Sequence, residues 1–97
     1  MTIVTLRYWA AAKEAAGVAE EKVEAENLAE ALAAGLAAAA ARLPAGGSAG
    51  SGGDRLRLVM ARSSFLVDGQ PATTRPPGSV RLDDGAMVEV LPPFAGG

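Results

Sequence analysis

The sequence predicts an α+β fold in which a mixed β-sheet packs on one main helix. The order of the elements supports this, because two strand patterns precede the longest helix pattern and two or three follow it. The size of the chain supports it too, since 97 residues, of which 49% are hydrophobic, provide for one small core. We therefore predict a single domain over residues 1–97, with its first and last strands side by side and parallel.

The first elements follow from residue type. Residues 2–9 are rich in β-branched and aromatic side chains, which favour a strand, and we expect this strand to be central. Ala10–Ala16 are strong helix formers, and Gly17 is a typical residue at the end of a short helix. Residues 18–23 predict a second strand, whose charged side chains suit the edge of a sheet.

The main helix has the clearest start signal. Asn27 is a good N-cap, and Glu30 three positions later completes a capping-box pattern. Pro44 and the glycines after it end the helix. A leucine stripe lies on one side of it, and we expect this stripe to pack on the sheet rather than to bind a partner. Its members are Leu28, Leu32, Leu36 and Leu43.

The second half of the chain predicts short strands joined by tight turns. Asp-Gly sequences mark the turns, and a proline restricts the return strand to a sheet edge. The predicted elements are, in chain order, a short helical turn over residues 55–61 capped by Asp54, a strand over 63–67, a type I′ turn at Asp68-Gly69, an edge strand from Gln70 through Pro71, a loop over 73–80, a turn at Asp83-Asp84-Gly85 and a last strand over 87–91.

Residues 46–53 consist of glycine, serine and alanine and predict a flexible loop insertion. A phosphate-binding loop is the alternative interpretation of such a glycine-rich segment. The segment lacks the Gly-Lys-Ser/Thr ending and does not join a strand to a helix as such loops do. We therefore interpret it as a tolerated insertion.

The composition excludes several classes of function. The chain contains no Cys and no His, so thiol catalysis, imidazole acid–base chemistry and the usual zinc sites are excluded. A net charge of -2 argues against nucleic acid and against a polybasic membrane anchor. The most apolar run, residues 28–41, is too short to span a membrane. We expect a cytoplasmic protein that binds no metal and no cofactor.

The last six residues, 92–97, form the candidate functional tail. Pro92 and Pro93 cannot continue a sheet ladder and favour an extended conformation that leads away from the body. Ala95, Gly96 and Gly97 then have almost no side chains, so this tail can enter a narrow channel of another protein. The reacting group would be the α-carboxylate of Gly97. A frayed terminus that ends in glycine by chance is the alternative.

Three stretches of the chain resemble the small subunit of molybdopterin synthase, within the ubiquitin-like (β-grasp) sulfur carriers. The resemblance covers the whole chain except the Gly/Ser insertion, and it implies a β-grasp roll with a mixed sheet of four to five strands gripping one main helix. The tail stretch is the most specific, because its acidic turn, strand, prolines and Gly-Gly pair are all in register. The stretches are residues 4–17 (VTLRYWAAAKEAAG), 65–70 (FLVDGQ) and 82–97 (LDDGAMVEVLPPFAGG).

This resemblance implies a sulfur carrier that is not an enzyme by itself. A ubiquitin-activator-like adenylating enzyme would use ATP to activate the Gly97 carboxylate, and a persulfide donor would convert it to a thiocarboxylate. The large subunit of molybdopterin synthase would then accept the tail and pass sulfur to the pterin precursor. Gly97 would carry the reacting carbon and Gly96 would provide clearance. Phe94 would either anchor the tail in a partner or fold back onto the domain.

Other interpretations stay open at the level of sequence. Lys13, Arg7 and Arg62 are either contacts to a partner or solvated surface charges. A related sulfur carrier would serve thiamin, cysteine or another sulfur metabolite. A protein modifier would join Gly97 to a lysine of a target. A plain interaction module would leave the tail unmodified.

Overall fold

The computed structural model describes residues 1–42, 52–72 and 74–93. The described residues form one five-stranded sheet with the strand order β2-β1-β5-β3-β4, and three α-helices. In chain order the elements are β1 (Ile3–Tyr8), α1 (Ala10–Ala16), β2 (Glu20–Glu24), α2 (Leu28–Arg42), α3 (Gly52–Arg62), β3 (Ser64–Val67), β4 (Gln70–Pro71), a 3₁₀ turn (Pro77–Ser79) and β5 (Met87–Leu91).

The sheet confirms the predicted fold class. β1 pairs with β5 in parallel, and every other neighbouring pair is antiparallel, so the sheet is mixed. β2 and the two-residue β4 are the edge strands, as their charged residues and proline predict. Asp68 and Gly69 both have positive φ (50° and 83°), which is the geometry of the predicted type I′ turn.

The core lies between one face of the sheet and the helices. β1 and β5 alternate strictly between buried and half-buried side chains. Their buried side chains are almost inaccessible to solvent: Val4, Leu6 and Tyr8 on β1 and Val88 and Val90 on β5. Within the described residues the helices pack on this face, and the side chains that β1 and β5 direct to the opposite face, called the open face below, are half-buried.

The start of α2 confirms the predicted cap with one change. The Glu30 N–H donates to Asn27 Oδ1 (2.9 Å), as an N-cap requires. In a standard capping box the glutamate would accept the N–H of the N-cap residue itself. Here Glu30 Oε1 accepts the N–H of Glu26 instead (2.9 Å), so the carboxylate also fixes the residue before the cap.

The predicted leucine stripe coincides only in part with the buried face of α2. Leu28 is fully buried, but Leu32 and Leu36 are half-buried at the margin of the core, and Leu43 lies outside the described residues. The residues of α2 that face the core are mostly small: Leu28, Ala31, Gly35 and Ala39. Small residues dominate because α2 lies very close to the sheet, as the space around Gly35 shows. An ideal Cβ on Gly35 would be 2.5 Å from the Tyr8 hydroxyl oxygen.

The prediction for α3 was wrong in extent. It is an eleven-residue helix that starts at Gly52, so Asp54 lies in its first turn and is not its cap. The predicted loop 46–53 therefore ends earlier, and residues 46–51 lie outside the described part. Gly53 belongs to the helix because α3 packs closely on α2: its ideal Cβ would be 3.0 Å from the Leu36 carbonyl oxygen. The buried side chains of Leu56 and Met60 add α3 to the core.

A polar cluster fixes the end of α2 to β2 and α1. The Tyr8 hydroxyl donates to Glu21 Oε2 (2.6 Å), and Arg42 donates to Glu21 Oε1 (3.0 Å). Arg42 also donates to the carbonyl oxygen of Ala16 (2.6 Å). Burial, and secondarily the hydrogen bond to Glu21, raise the pKa of the Tyr8 hydroxyl above its ordinary value of 10.0.

This cluster predicts an alkaline loss of stability. The folded state keeps the Tyr8 proton to higher pH than the unfolded chain, so the contribution is fully present below pH 10 and is lost as the pH rises further. We expect the free energy of unfolding to fall by up to about 1.4 kcal/mol per pH unit above about pH 10. Urea unfolding at several alkaline pH values measures this slope.

The variant Tyr8→Phe is the control for that slope, because Tyr8 is the only tyrosine of the chain. It removes the titrating group and leaves Glu21 with Arg42 as its partner. We expect a loss of about 1–2 kcal/mol at neutral pH and a flatter pH dependence above pH 10. An unchanged alkaline slope in Tyr8→Phe would assign the loss to other groups.

Candidate functional site

The candidate tail begins at the end of a strand in the middle of the sheet. β5 is the third of the five strands, held on one side by β1 and on the other by β3. Its last residue, Leu91, pairs with Ser64 of β3, and the Trp9 N–H donates to the Val90 carbonyl oxygen (3.2 Å). The starting point of the tail is thus fixed by hydrogen bonds on both sides. The predicted site residues Phe94, Ala95, Gly96 and Gly97 lie outside the described residues.

The two prolines differ in their surroundings. Pro92 is buried and Pro93 is exposed, so exposure of the chain begins at the second proline. Both border a cleft of about 190 Å³ that is also lined by Ala11 of α1 and by Val59 and Arg62 of α3. Pro92 is therefore a packing residue as well as a stop for the strand. The base of the tail is supported by two helices.

The open face of the sheet extends to the end of the molecule where β5 ends and the tail begins. It carries the half-buried residues of the central strands, which alternate with the core residues. In the strand register, Arg7 lies opposite Glu89, which in turn lies opposite Leu66. The half-buried side chains of β1, β3 and β5 on this face are Ile3, Thr5, Arg7, Leu66, Met87, Glu89 and Leu91. A surface of mixed apolar and charged character thus leads towards the tail.

Trp9 extends this surface beside the tail. It is 44% exposed, although most aromatic side chains of this size are largely covered in small domains. The Arg7 guanidinium lies over its ring, with Cζ 5.8 Å from the ring centroid, and forms an ion pair with Glu20 (3.0 Å). These contacts hold Trp9 in place while its ring stays accessible.

The charged residues singled out from sequence have different surroundings. Arg7 is engaged by Glu20 and Trp9, so it is part of the surface rather than a free charge. Lys13 is exposed on α1. Arg62 is exposed on α3 and lines the cleft at the tail base. Of the three, Arg62 is the one that the fold brings next to Pro92 and Pro93.

Sequence reasoning missed most of the residues that surround the tail. Trp9 was assigned to a strand only, and the cleft residues Ala11 and Val59 carried no signal of their own. The alternation of β1 and β5 was the available signal for the open face, since every second residue of a half-covered strand must face away from the core. The cleft offered no such signal, because it is built from α1, α3 and the tail base.

Within the described ranges, no three His, Cys, Asp or Glu side chains are grouped so as to hold a metal ion. In the same part of the chain, no helix has the length and apolar character needed to cross a membrane.

Comparison with protein-family models and with curated proteins gave no match. Comparison with solved structures gave matches over the whole chain. Small archaeal modifier protein 1 from Methanosarcina acetivorans is 21% identical with a TM-score of 0.71, and the match covers 100% of this chain and 98% of that one. The protein of that name from Haloferax volcanii is 21% identical with a TM-score of 0.67, and the match covers 98% of this chain and 99% of that one.

A further similar structure is the complex of subunits 1 and 2 of molybdopterin-converting factor from Helicobacter pylori. The matched chain is 19% identical to this one with a TM-score of 0.60, and the match covers 99% of this chain and 100% of that one. At this level of identity the likeness concerns the fold. The ubiquitin-like β-grasp roll that the resemblance implies is confirmed.

Proposed function

We propose that this chain is a sulfur carrier whose Gly97 carboxylate becomes a thiocarboxylate and donates sulfur in molybdopterin biosynthesis. The observation that carries the proposal is the position of β5. This central strand ends at Pro92 and Pro93, at a place where two helices and the open sheet face meet. In the sequence, Phe94 and then the small residues Ala95, Gly96 and Gly97 follow. A rigid body that presents a thin terminus suits delivery of that terminus into another protein.

The proposed chemistry takes place on partner enzymes. A carboxylate oxygen of Gly97 attacks the α-phosphorus of ATP on a ubiquitin-activator-like adenylating enzyme, and pyrophosphate leaves. The terminal sulfur of a persulfide then attacks the acyl carbon, and AMP leaves as a much better leaving group than hydroxide. A thiol cleaves the remaining S–S bond, which releases the thiocarboxylate and leaves a disulfide. The chain binds no cofactor in this scheme and supplies only the reacting terminus.

The proposed sulfur acceptor complex contains a large partner subunit. The similarity to a chain from the Helicobacter pylori complex of subunits 1 and 2 supports a partner that corresponds to subunit 2. The open sheet face, with Trp9 and Leu91 at its tail end, provides apolar area for such a partner to cover. In this proposal the large subunit receives the tail and transfers its sulfur to the pterin precursor in the cytoplasm.

Intact mass spectrometry tests the proposal. The chain is incubated with ATP, the host's adenylating enzyme and a persulfide donor, and a sample without ATP serves as control. We expect a gain of about 16 Da, which is also close to the mass of methionine oxidation, so fragmentation must place it at Gly97. Transfer of the sulfur to a pterin precursor on the large subunit then identifies the acceptor. A bare carboxylate with and without ATP would contradict the carrier role.

Protein modification is the second candidate function. The structural similarity to proteins named small archaeal modifier protein 1 favours it specifically. In this alternative a lysine amine of a target attacks the acyl carbon of the Gly97 adenylate, the bond to AMP breaks, and an isopeptide bond forms as AMP and a proton leave. High-molecular-weight adducts that disappear when Gly97 is replaced would support modification. A sulfur-bearing Gly97 without such adducts would favour the carrier, for molybdopterin or for thiamin, cysteine or another sulfur metabolite.

A further inference from the structure

The exposed side of α3 carries an apolar residue between two arginines. Arg55, Leu58 and Arg62 are spaced by three and four positions, so they lie on one face of the helix. Leu58 is 71% exposed, the highest value for a large hydrophobic residue after Met1 in the described chain. These three residues, with Val59 beside them, are called the α3 stripe below.

The stripe borders a groove that continues to the base of the tail. Arg55, Leu58, Val59, Ala61 and Arg62 line a groove of about 380 Å³. Val59 and Arg62 also line the cleft whose other wall is Pro92 and Pro93. A protein that accepts the tail therefore approaches next to the stripe, and the two surfaces form one continuous area.

The charge of the stripe indicates the chemistry of its partner. The chain as a whole has a net charge of -2, but α3 carries three arginines and one aspartate and is locally basic. Arg57 lies on another side of the helix from Leu58 and is held by Asp54 (3.4 Å), which lies one turn before Leu58 at the margin of the stripe. In the described part of the chain, neither Arg55 nor Arg62 forms an ion pair or a hydrogen bond. Within the described ranges, the stripe thus offers two guanidinium groups without an ion-pair partner on either side of an exposed leucine.

We propose that the α3 stripe is a docking surface for an acidic amphipathic segment of the protein that receives the tail. This inference rests on the proposed function, in that it takes the tail to be received by a partner protein. Arg55 and Arg62 are separated by about 10 Å along α3, which is the rise of two helical turns. A partner segment with two carboxylates at this separation and an apolar side chain between them would pair both arginines and cover Leu58.

Binding to subunit 2 of the host's molybdopterin-converting factor tests this surface, measured by calorimetry with the full chain. The stripe variants are Arg55→Glu combined with Arg62→Glu, and Leu58→Ser alone. We expect the double charge reversal to raise Kd at least tenfold and Leu58→Ser to raise it about fivefold. The difference between the double variant and the unaltered chain should shrink at high salt, because screening weakens the ion pairs.

The control combines Arg57→Glu with Arg81→Glu, which changes the charge by the same amount off the stripe. Arg57 lies on another side of α3. Arg81 pairs with Asn27 through an isolated backbone β-bridge, at the opposite end of the sheet from the tail. We expect the Kd of this control variant for subunit 2 to differ from that of the unaltered chain by less than about twofold. Circular dichroism and thermal unfolding check that each variant is folded.

Stripe variants that bind as tightly as the unaltered chain would overturn the inference and leave the proposed function standing. Absence of any binding by the unaltered chain would overturn both. Occupation of the groove by the chain's own tail would also overturn it. It would appear as shifted amide resonances of Arg55 and Leu58, which line the groove but not the cleft at Pro93, when residues 94–97 are removed. A concentration-dependent dimer that Leu58→Ser dissociates would assign the stripe to a second copy instead.

Discussion

Deletion of Gly97, or addition of one residue after it, is expected to abolish thiocarboxylate formation and to leave the fold intact. Deletion withdraws the terminal carboxylate by one residue, about 3.5 Å of extended chain, from the point where the adenylating enzyme must hold it. A misplacement of about 1 Å can already reduce a reaction rate by a factor of about 100. The fold is unaffected because β5 ends at Leu91, before the tail begins.

The measurement is the mass gain of each tail variant after incubation with ATP, adenylating enzyme and persulfide. Gly78→Ala is the matched control, since an added Cβ at Gly78 meets no heavy atom within 4 Å and the residue lies in the 3₁₀ turn rather than in the tail. We expect Gly78→Ala to load sulfur at the normal rate. A tail-extended chain that acquires the thiocarboxylate at its new terminus would show that the position of Gly97 is not required.

The parts of the fold that were predicted correctly are those that local sequence determines. The strands β1 and β5 and the turns at Asp68-Gly69 and Gly85 depend on neighbouring residues only, since alternation and positive φ are local properties. The length of α3 depends on contacts far away in sequence. Gly53 weakens a helix in isolation but allows α3 to approach the Leu36 carbonyl oxygen of α2. No pattern in residues 52–62 contains that information.

The candidate site divides in a similar way. The extended tail beyond Pro93 stays a prediction, because residues 94–97 lie outside the described residues. It rests on prolines and glycines, whose conformational consequences do not depend on the fold. The surroundings of Pro92 and Pro93 were not predicted, since Ala11 and Val59 carried no signal of their own. Arg62 was one of three candidate contacts to a partner, but only folding brings it beside the two prolines. The exposure of Leu58 was not predicted for a further reason. Residue type alone does not determine whether a leucine in a helix faces the core or the solvent.

The close approach of α2 to the sheet predicts a large effect at Gly35. Replacing a helical glycine by alanine normally stabilises a helix by about 1 kcal/mol. At Gly35 the ideal Cβ would be 2.5 Å from the Tyr8 hydroxyl oxygen and 2.8 Å from Leu6 Cδ1. Overpacking of this kind costs about 1–3 kcal/mol or more, so we expect Gly35→Ala to lose about 2 kcal/mol of stability and Gly35→Val to lose more.

Urea unfolding measures the free energy of unfolding that Gly35→Ala loses, with Gly78→Ala as the control. We expect Gly78→Ala to stay within about 0.5 kcal/mol of the unaltered chain. A stabilised Gly35→Ala would show that α2 lies farther from Tyr8 than the structure places it. The contact itself is isolated by combining Gly35→Ala with Tyr8→Phe. Because the phenylalanine lacks the hydroxyl oxygen that the new methyl group meets, Gly35→Ala should cost about 1 kcal/mol less in that background. Additive losses would mean instead that Leu6 and the backbone, rather than the Tyr8 hydroxyl, set the distance between α2 and the sheet.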